Sequence, residues 1–275
     1  MNRSTFYASV RERAPGVFGT SISQSQVQGT EAILDEAERR GTPLRQLAYI
    51  LATAYHESAH TMQAVRETLA KTDAGAIAAL EKAWKTGQLT WVKTPYWRKD
   101  ADGKSWFGRG LVQITHKANY QKLGLLIGVD LVKDPSKALE LSTAVQILFV
   151  GMELGSFTGK SLSDYISDGR ADYEGARRIV NGMDKAALIA GYAKAFERAL
   201  VAAGYSPKKP SAGITPKASE PSAFSEKSTD LGTTPERGPV SPGAAAAGAG
   251  IVAIIAAAGA YLSNLPCSWF GFMCG

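Results

Sequence analysis

Two glutamates stand out for what their surroundings would let them do. Glu57 lies in His56-Glu57-Ser58-Ala59-His60, where an apolar helical run from Leu44 to Tyr55 gives out and a carboxylate meets two imidazoles. Glu67 follows ten residues later, after the segment TMQAVR. Hydrolysis of a glycosidic bond calls for such a pair: one carboxylic acid protonates the leaving oxygen, and one carboxylate activates water or attacks the sugar. The interval does not put both on one helix face; it suits opposite banks of a cleft, with the chain folding back after His60. The pentapeptide also matches His-Glu-x-x-His, in which two imidazoles on one helix face hold zinc and the glutamate activates its water. That chemistry needs a third protein ligand, and the remaining histidine, His116, belongs to a different segment. A third reading is structural: two helix-end histidines and a solvated glutamate.

The elements that must position these groups are mostly helical. Ser23 to Arg40 carries Val27, Ile33, Leu34 and Ala37 on one side and stops at Gly41. Thr42 is the expected N-cap of the next helix, with Pro43 at its first position. Leu44, Leu47, Ala48, Leu51 and Tyr55 then repeat at three and four residues, which places Glu57 in the last turn. Thr72–Thr86 predicts another helix, with Ala74, Ile77, Leu80, Ala83 and Trp84 as its apolar side. The aromatic and β-branched residues of Gln88–Trp106, around the turn former DADG, suggest an irregular hairpin. After Gly108-Arg109-Gly110 comes a short helix through Asn119, Tyr120 and Leu123; Thr143–Leu154 is strongly apolar and reads as the central helix. Shorter helices are expected at 162–166 and 173–180, and a last long one at Asp184–Ala203 with Gly204 as its stop.

Composition limits the rest. In 275 residues, 31 Lys and Arg against 25 Asp and Glu leave a charge of +6, spread along the chain, which favours encounter with anionic polymers without choosing among them. No zinc-finger spacing or basic-aromatic interleaving is present, so no nucleic-acid partner is expected. Residues 206–242 lose all periodicity and read as a disordered Pro/Ser-rich linker. Residues 243–262, GAAAAGAGIVAIIAAAGAYL, hold no charge and would span roughly 30 Å as a helix, the thickness of a bilayer's hydrocarbon. A transmembrane helix is therefore expected, contacting lipid, with a short tail at 263–275 carrying Cys267 and Cys274. Arg237 and Lys227 precede the span and no Lys or Arg follows it, so positive-inside reasoning puts the N-terminal domain on the cytoplasmic side. The start of the chain has charge but no apolar stretch of signal-peptide length.

The segment YHESAH, followed by VRET and WFGRGLVQITHKANY, resembles the family 19 chitinases and the bacteriophage endolysins related to them. The resemblance covers roughly residues 42–200 and implies a lysozyme-like, two-lobed helical domain over residues 1–205 with a small irregular β-hairpin region. It carries the general acid to Glu57 and the general base to Glu67, and substrate- or water-positioning roles to Gln113, Thr115 and Asn119. The stretch ARRIVNG carries Asn181 to the cleft. Arg109, His56 and Tyr120 are supporting residues, Arg109 by bracing the cleft or pairing with an acidic neighbour and His56 by doing the same for Glu57 through its ring nitrogens. The sequence departs from the plant members in its short interval between the glutamates, in Leu111 where many have proline, and in lacking disulfides in this region. Ala59-His60 also stands where phage members often have two glycines. The short interval favours peptidoglycan glycan strands over chitin as substrate. The implied activity is inverting acid/base hydrolysis of β-1,4 bonds, with no metal and no cofactor. A phage lysis protein or a virion component, held at a host inner membrane or a virion membrane and meeting other membrane or virion proteins there, fits the whole chain. Chitin hydrolysis, a non-catalytic wall-binding module and a zinc peptidase are the alternatives.

Overall fold

The computed structural model describes residues 1–12 and 17–207. The expected span at 243–262, nearly all of the linker and both cysteines lie outside the described residues; among those described, no helix is long and apolar enough to cross a membrane.

Helix dominates. In chain order the elements are α1 (Arg3–Val10), α2 (Gln24–Arg40), α3 (Leu44–Glu57), β1 (Val65–Arg66), α4 (Asp73–Lys85), β2 (Arg109–Gly110), α5 (Lys117–Ile127), α6 (Leu141–Glu153), α7 (Leu162–Tyr165), β3 (Ile166–Ser167), β4 (Arg170–Ala171) and α8 (Ala186–Ala202). Short 3-10 turns occupy Glu67–Leu69, Pro135–Leu139 and Gly175–Ile179. The strands are two residues long and pair antiparallel, β1 with β2 through Val65↔Gly110 and Arg66↔Arg109, and β3 with β4.

Local chemistry explains most of the boundaries. Ser23 closes a capping box with Gln26 at the start of α2, and Gly41 ends it in the left-handed region at φ 68. Thr72 caps α4 by accepting the Gly75 N–H. At α3 the expected cap moves by one residue: Pro43 is the N-cap and no side chain serves it. Thr42 is instead drawn inward, its N–H donating to the Ala37 carbonyl and its own carbonyl accepting the Tyr205 hydroxyl at 2.8 Å.

Two further expectations are corrected. Residues 88–106 contain no strand; turns held by Asp100 and by the Trp106 N–H on the Tyr96 carbonyl replace the hairpin, and the ladder forms between β1 and β2. Helix α3, not α6, is the most enclosed element: every residue from Leu47 to Tyr55 is buried, and it packs chiefly against α8. Leu47, Ile50 and Leu51 are fully buried there, each worth about 1.5–3 kcal/mol. The expected helix at 173–180 is a 3-10 turn. On α4, Leu80 is buried as expected, but Ala74 is exposed and Ala76 takes its place.

The described residues form two apolar cores. The larger joins α1, α2, α3, α5, α6 and α8; the smaller gathers Ala76, Leu80, Leu89, Trp97 and Phe107. The chain crosses from the smaller to the larger between Phe107 and Leu111, and that crossing carries Gly108, Arg109 and Gly110.

Candidate active site

Glu57 is the last residue of α3 and is 2 % exposed. The stripe behind it pulls the helix end into the large core, so the carboxyl is drawn in with it. There it accepts a hydrogen bond from Nη1 of Arg177, itself buried in the 3-10 turn Gly175–Ile179 and anchored through Nε on the Asp184 carbonyl at 3.0 Å. Burial raises the Glu57 carboxyl above its ordinary range, while Arg177 pulls it back.

Glu67 sits where β1 meets β2, 5 % exposed. Its Oε1 accepts the Tyr96 hydroxyl at 2.8 Å and its Oε2 the Gly108 N–H at 2.7 Å; its own N–H donates to the Gly108 carbonyl at 2.7 Å. No cation bonds it. Burial raises this carboxyl to about 7, with the Gly108 and Tyr96 hydrogen bonds opposing. A side chain at Gly108 would crowd this site: a Cβ would stand 2.8 Å from Gln113 Oε1 and 3.3 Å from Glu67 Oε2, so one of these side chains would have to shift.

Strain gathers next to both groups. Ala59, His60 and Met62 follow Glu57 at positive φ, and Thr68 and Leu69 follow Glu67 at φ 63 and 57. Non-glycine residues in this region cost on the order of 1–3 kcal/mol each and persist where surrounding structure over-determines them, a pattern that concentrates at functional sites.

The histidines do not form a metal pair. Helix α3 ends at Glu57, so His56 and His60 do not share a helical face, and His60, at φ 66, stacks on Tyr55 with centroids 4.2 Å apart. His56 keeps a buried Nδ1 without a partner; burial first, then Arg177, lowers it to about 4, so the ring is neutral. No group of three metal-binding side chains occurs among the described residues.

Arg109 pairs with an acidic neighbour. It is buried, donates to the Ser105 carbonyl and the Tyr120 hydroxyl at 2.9 Å each, and pairs with Asp73 at 2.8 Å. Tyr120 passes the chain on to the Phe107 carbonyl at 2.7 Å. Gln113, at φ 52, directs both amide protons to backbone, the Val65 and Gly110 carbonyls, and so braces the β1–β2 junction. Thr115 is buried, and its carbonyl accepts the Asn119 amide at 2.8 Å.

Asn119 and Asn181 are brought together on one cavity of about 700 Å³, whose wall also includes His116, Lys122, Lys160 and Arg178. Neither glutamate lines it; each is linked to it. The His116 ring lies 4.7 Å from that of Tyr96, the donor to Glu67. The Asn181 N–H donates to the carbonyl of Arg177, the partner of Glu57.

Sequence reasoning missed Arg177, Tyr96 and Gly108 as members of the site. Arg177 had only a shared signal, being one of two adjacent arginines in the turn GARRI that precedes Asn181. Tyr96 had none, since nothing in its neighbourhood points toward Glu67.

Residues 38–149 match the family model described as chitinase class I, a stretch that includes both glutamates and the Gly108–Thr115 crossing and ends before Arg177. A crystal structure of a glutamate-to-glutamine variant of a chitinase C is 15 % identical, covers 76 % of this chain and 95 % of its own, and superposes with a TM-score of 0.44. Chitinase C from Streptomyces griseus is 15 % identical over 75 % of this chain and 93 % of its own, with a TM-score of 0.40. No curated protein matches. Over residues 38–149 the chain is similar to the class I chitinases of glycoside hydrolase family 19, and that likeness supports a glycoside hydrolase.

Proposed function

We propose that the protein hydrolyses β-1,4 bonds of bacterial peptidoglycan with inversion at the anomeric carbon. Glu57 gives its proton to the glycosidic oxygen as the C1–O bond breaks. Glu67 takes a proton from the water whose oxygen bonds to C1 on the opposite face. The glutamates exchange protonation states in the step, and solvent restores them. The observation that carries this is the pair itself: two buried carboxyls, both raised by burial and held by separate donor sets. Peptidoglycan is preferred to chitin because the interval between the glutamates leaves no room for a chitinase's additional loops.

Wall lysis by Glu57→Gln tests the assignment. Loss of at least a hundredfold is expected, and turnover within a few-fold of wild type would remove Glu57 from the chemistry. Chelator treatment is expected to leave the wild type unaffected.

One observation favours a second arrangement of the same pair. Arg177 bonds Glu57 while no cation bonds Glu67, which favours a charged Glu57 and a proton on Glu67, with the two roles exchanged. Glycosides with highly acidic leaving groups separate the two. Such substrates need no acid, so the variant that still cleaves them has lost its acid, and the variant rescued by azide has lost its base.

Residues 243–262 are proposed to anchor this activity at a membrane, host or virion, as in a phage lysis protein. The support is the uncharged twenty-residue stretch. Recovery of the full chain in the soluble fraction after lysis without detergent would remove the anchor.

A further inference from the structure

The cavity that holds Asn119 and Asn181 has a charge pattern that neutral sugars do not call for. Lys122, Lys160 and Arg178 line it, and no lining residue is acidic. Lys160 and Arg178 are exposed and form no ion pair with any described carboxylate; Asp164, close enough to feel the Lys160 charge, does not line the cavity. Their backbones are held in one frame. Thr158 Oγ1 donates to the carbonyls of Arg178 and Ile179, at 2.5 and 3.1 Å, and accepts the Lys160 N–H at 3.4 Å. Lys122 reaches from α5 to the Ser156 carbonyl at 2.9 Å, tying the same loop to the helix that carries Asn119. Cations fixed on braced backbone beside a glycan-sized cleft make a prearranged anion site.

We propose that this cavity is a subsite for the free carboxylates of the peptide stems on peptidoglycan, with Lys160 and Arg178 as the contacting groups. The inference rests on the hydrolase reading above and narrows its substrate. Chitin carries no carboxylate, whereas every stem-bearing muramic acid unit does. Asn119 and Asn181 face the glycan and the two cations face the branch, so one cavity reads both features of the polymer.

The test is calorimetric binding to the full chain carrying Glu67→Gln, which removes turnover. The probes are a purified glycan tetrasaccharide with its stems, the same strand with the stems removed by an amidase and the lactyl carboxylates so freed converted to amides, and the strand with its stem carboxyls amidated. Stem-bearing strands are expected to bind at least fivefold tighter than bare ones, and amidated strands to bind like bare ones. Adding Lys160→Gln and Arg178→Gln is expected to bring the ratio below twofold, and high salt to reduce it in the parent. Equal binding of bare and stem-bearing strands overturns the proposal. So does a preference that survives amidation or the double substitution. Wall lysis by Glu57→Gln judges the hydrolase reading separately, since that assay does not depend on the preference measured here.

Discussion

Arg177 donates to the carboxylate of Glu57 across 120 residues of sequence, and both side chains are buried. The contact joins the end of α3 to the turn before α8, so the packing of these two helices fixes where the carboxyl points.

Breaking this pair from one side should be costly. Arg177→Leu and Glu57→Gln each leave a buried group without its partner, which destabilises by about 3–5 kcal/mol. The double variant should lose about 1–3 kcal/mol less than the sum of the two. Urea unfolding of all four proteins measures the coupling; simple additivity would mean that the pair contributes nothing specific to the fold.

Glu67 makes stability fall as pH rises. Its carboxyl keeps a proton to about pH 7 in the folded chain but ionises near its ordinary 4.5 when unfolded. The folded state therefore binds more protons between those values, so the stabilisation is complete below 4.5 and is lost as pH rises through 7. Wild type should lose roughly 3 kcal/mol relative to Glu67→Gln between pH 4 and pH 8. At pH 8 the inactive variant should be the more stable protein, as read by thermal unfolding at both pH values. Identical pH dependence in the two proteins would place the Glu67 carboxyl in water.

Gly108→Ala should injure activity more than folding. The new methyl would meet Gln113 Oε1 at 2.8 Å and Glu67 Oε2 at 3.3 Å, displacing the carboxyl and the N–H that holds it. A stability loss of about 1–3 kcal/mol is expected from the crowding. The kcat/KM should fall at least tenfold on strands the wild type cleaves. Retention of full turnover would show that Glu67 does not depend on this crossing.

Helices were legible in the sequence because burial on one face imposes a period, and their ends because caps and glycines have local signatures. Gly41 and Gly204 could each be read as stops without knowing what lay nearby. The candidate glutamates were legible from the company they keep: Glu57 at the end of an apolar stripe, Glu67 between it and a glycine-rich motif. Thr42 was misread because its partners, Ala37 and Tyr205, include one 163 residues away. The segment 88–106 was misread because β-branched and aromatic residues also fill a small core without pairing strands.

Sequence by itself determined which residue types could carry a proton and which helices would exist, since both follow from side-chain chemistry and short-range periodicity. Only the tertiary structure decided the protonation of those residues. That depends on Arg177 standing beside Glu57, on Tyr96 and the Gly108 N–H standing beside Glu67, and on how much water each carboxyl loses. Solvation and Coulomb interaction depend on distance in space, and distance in space is set by packing between segments far apart along the chain.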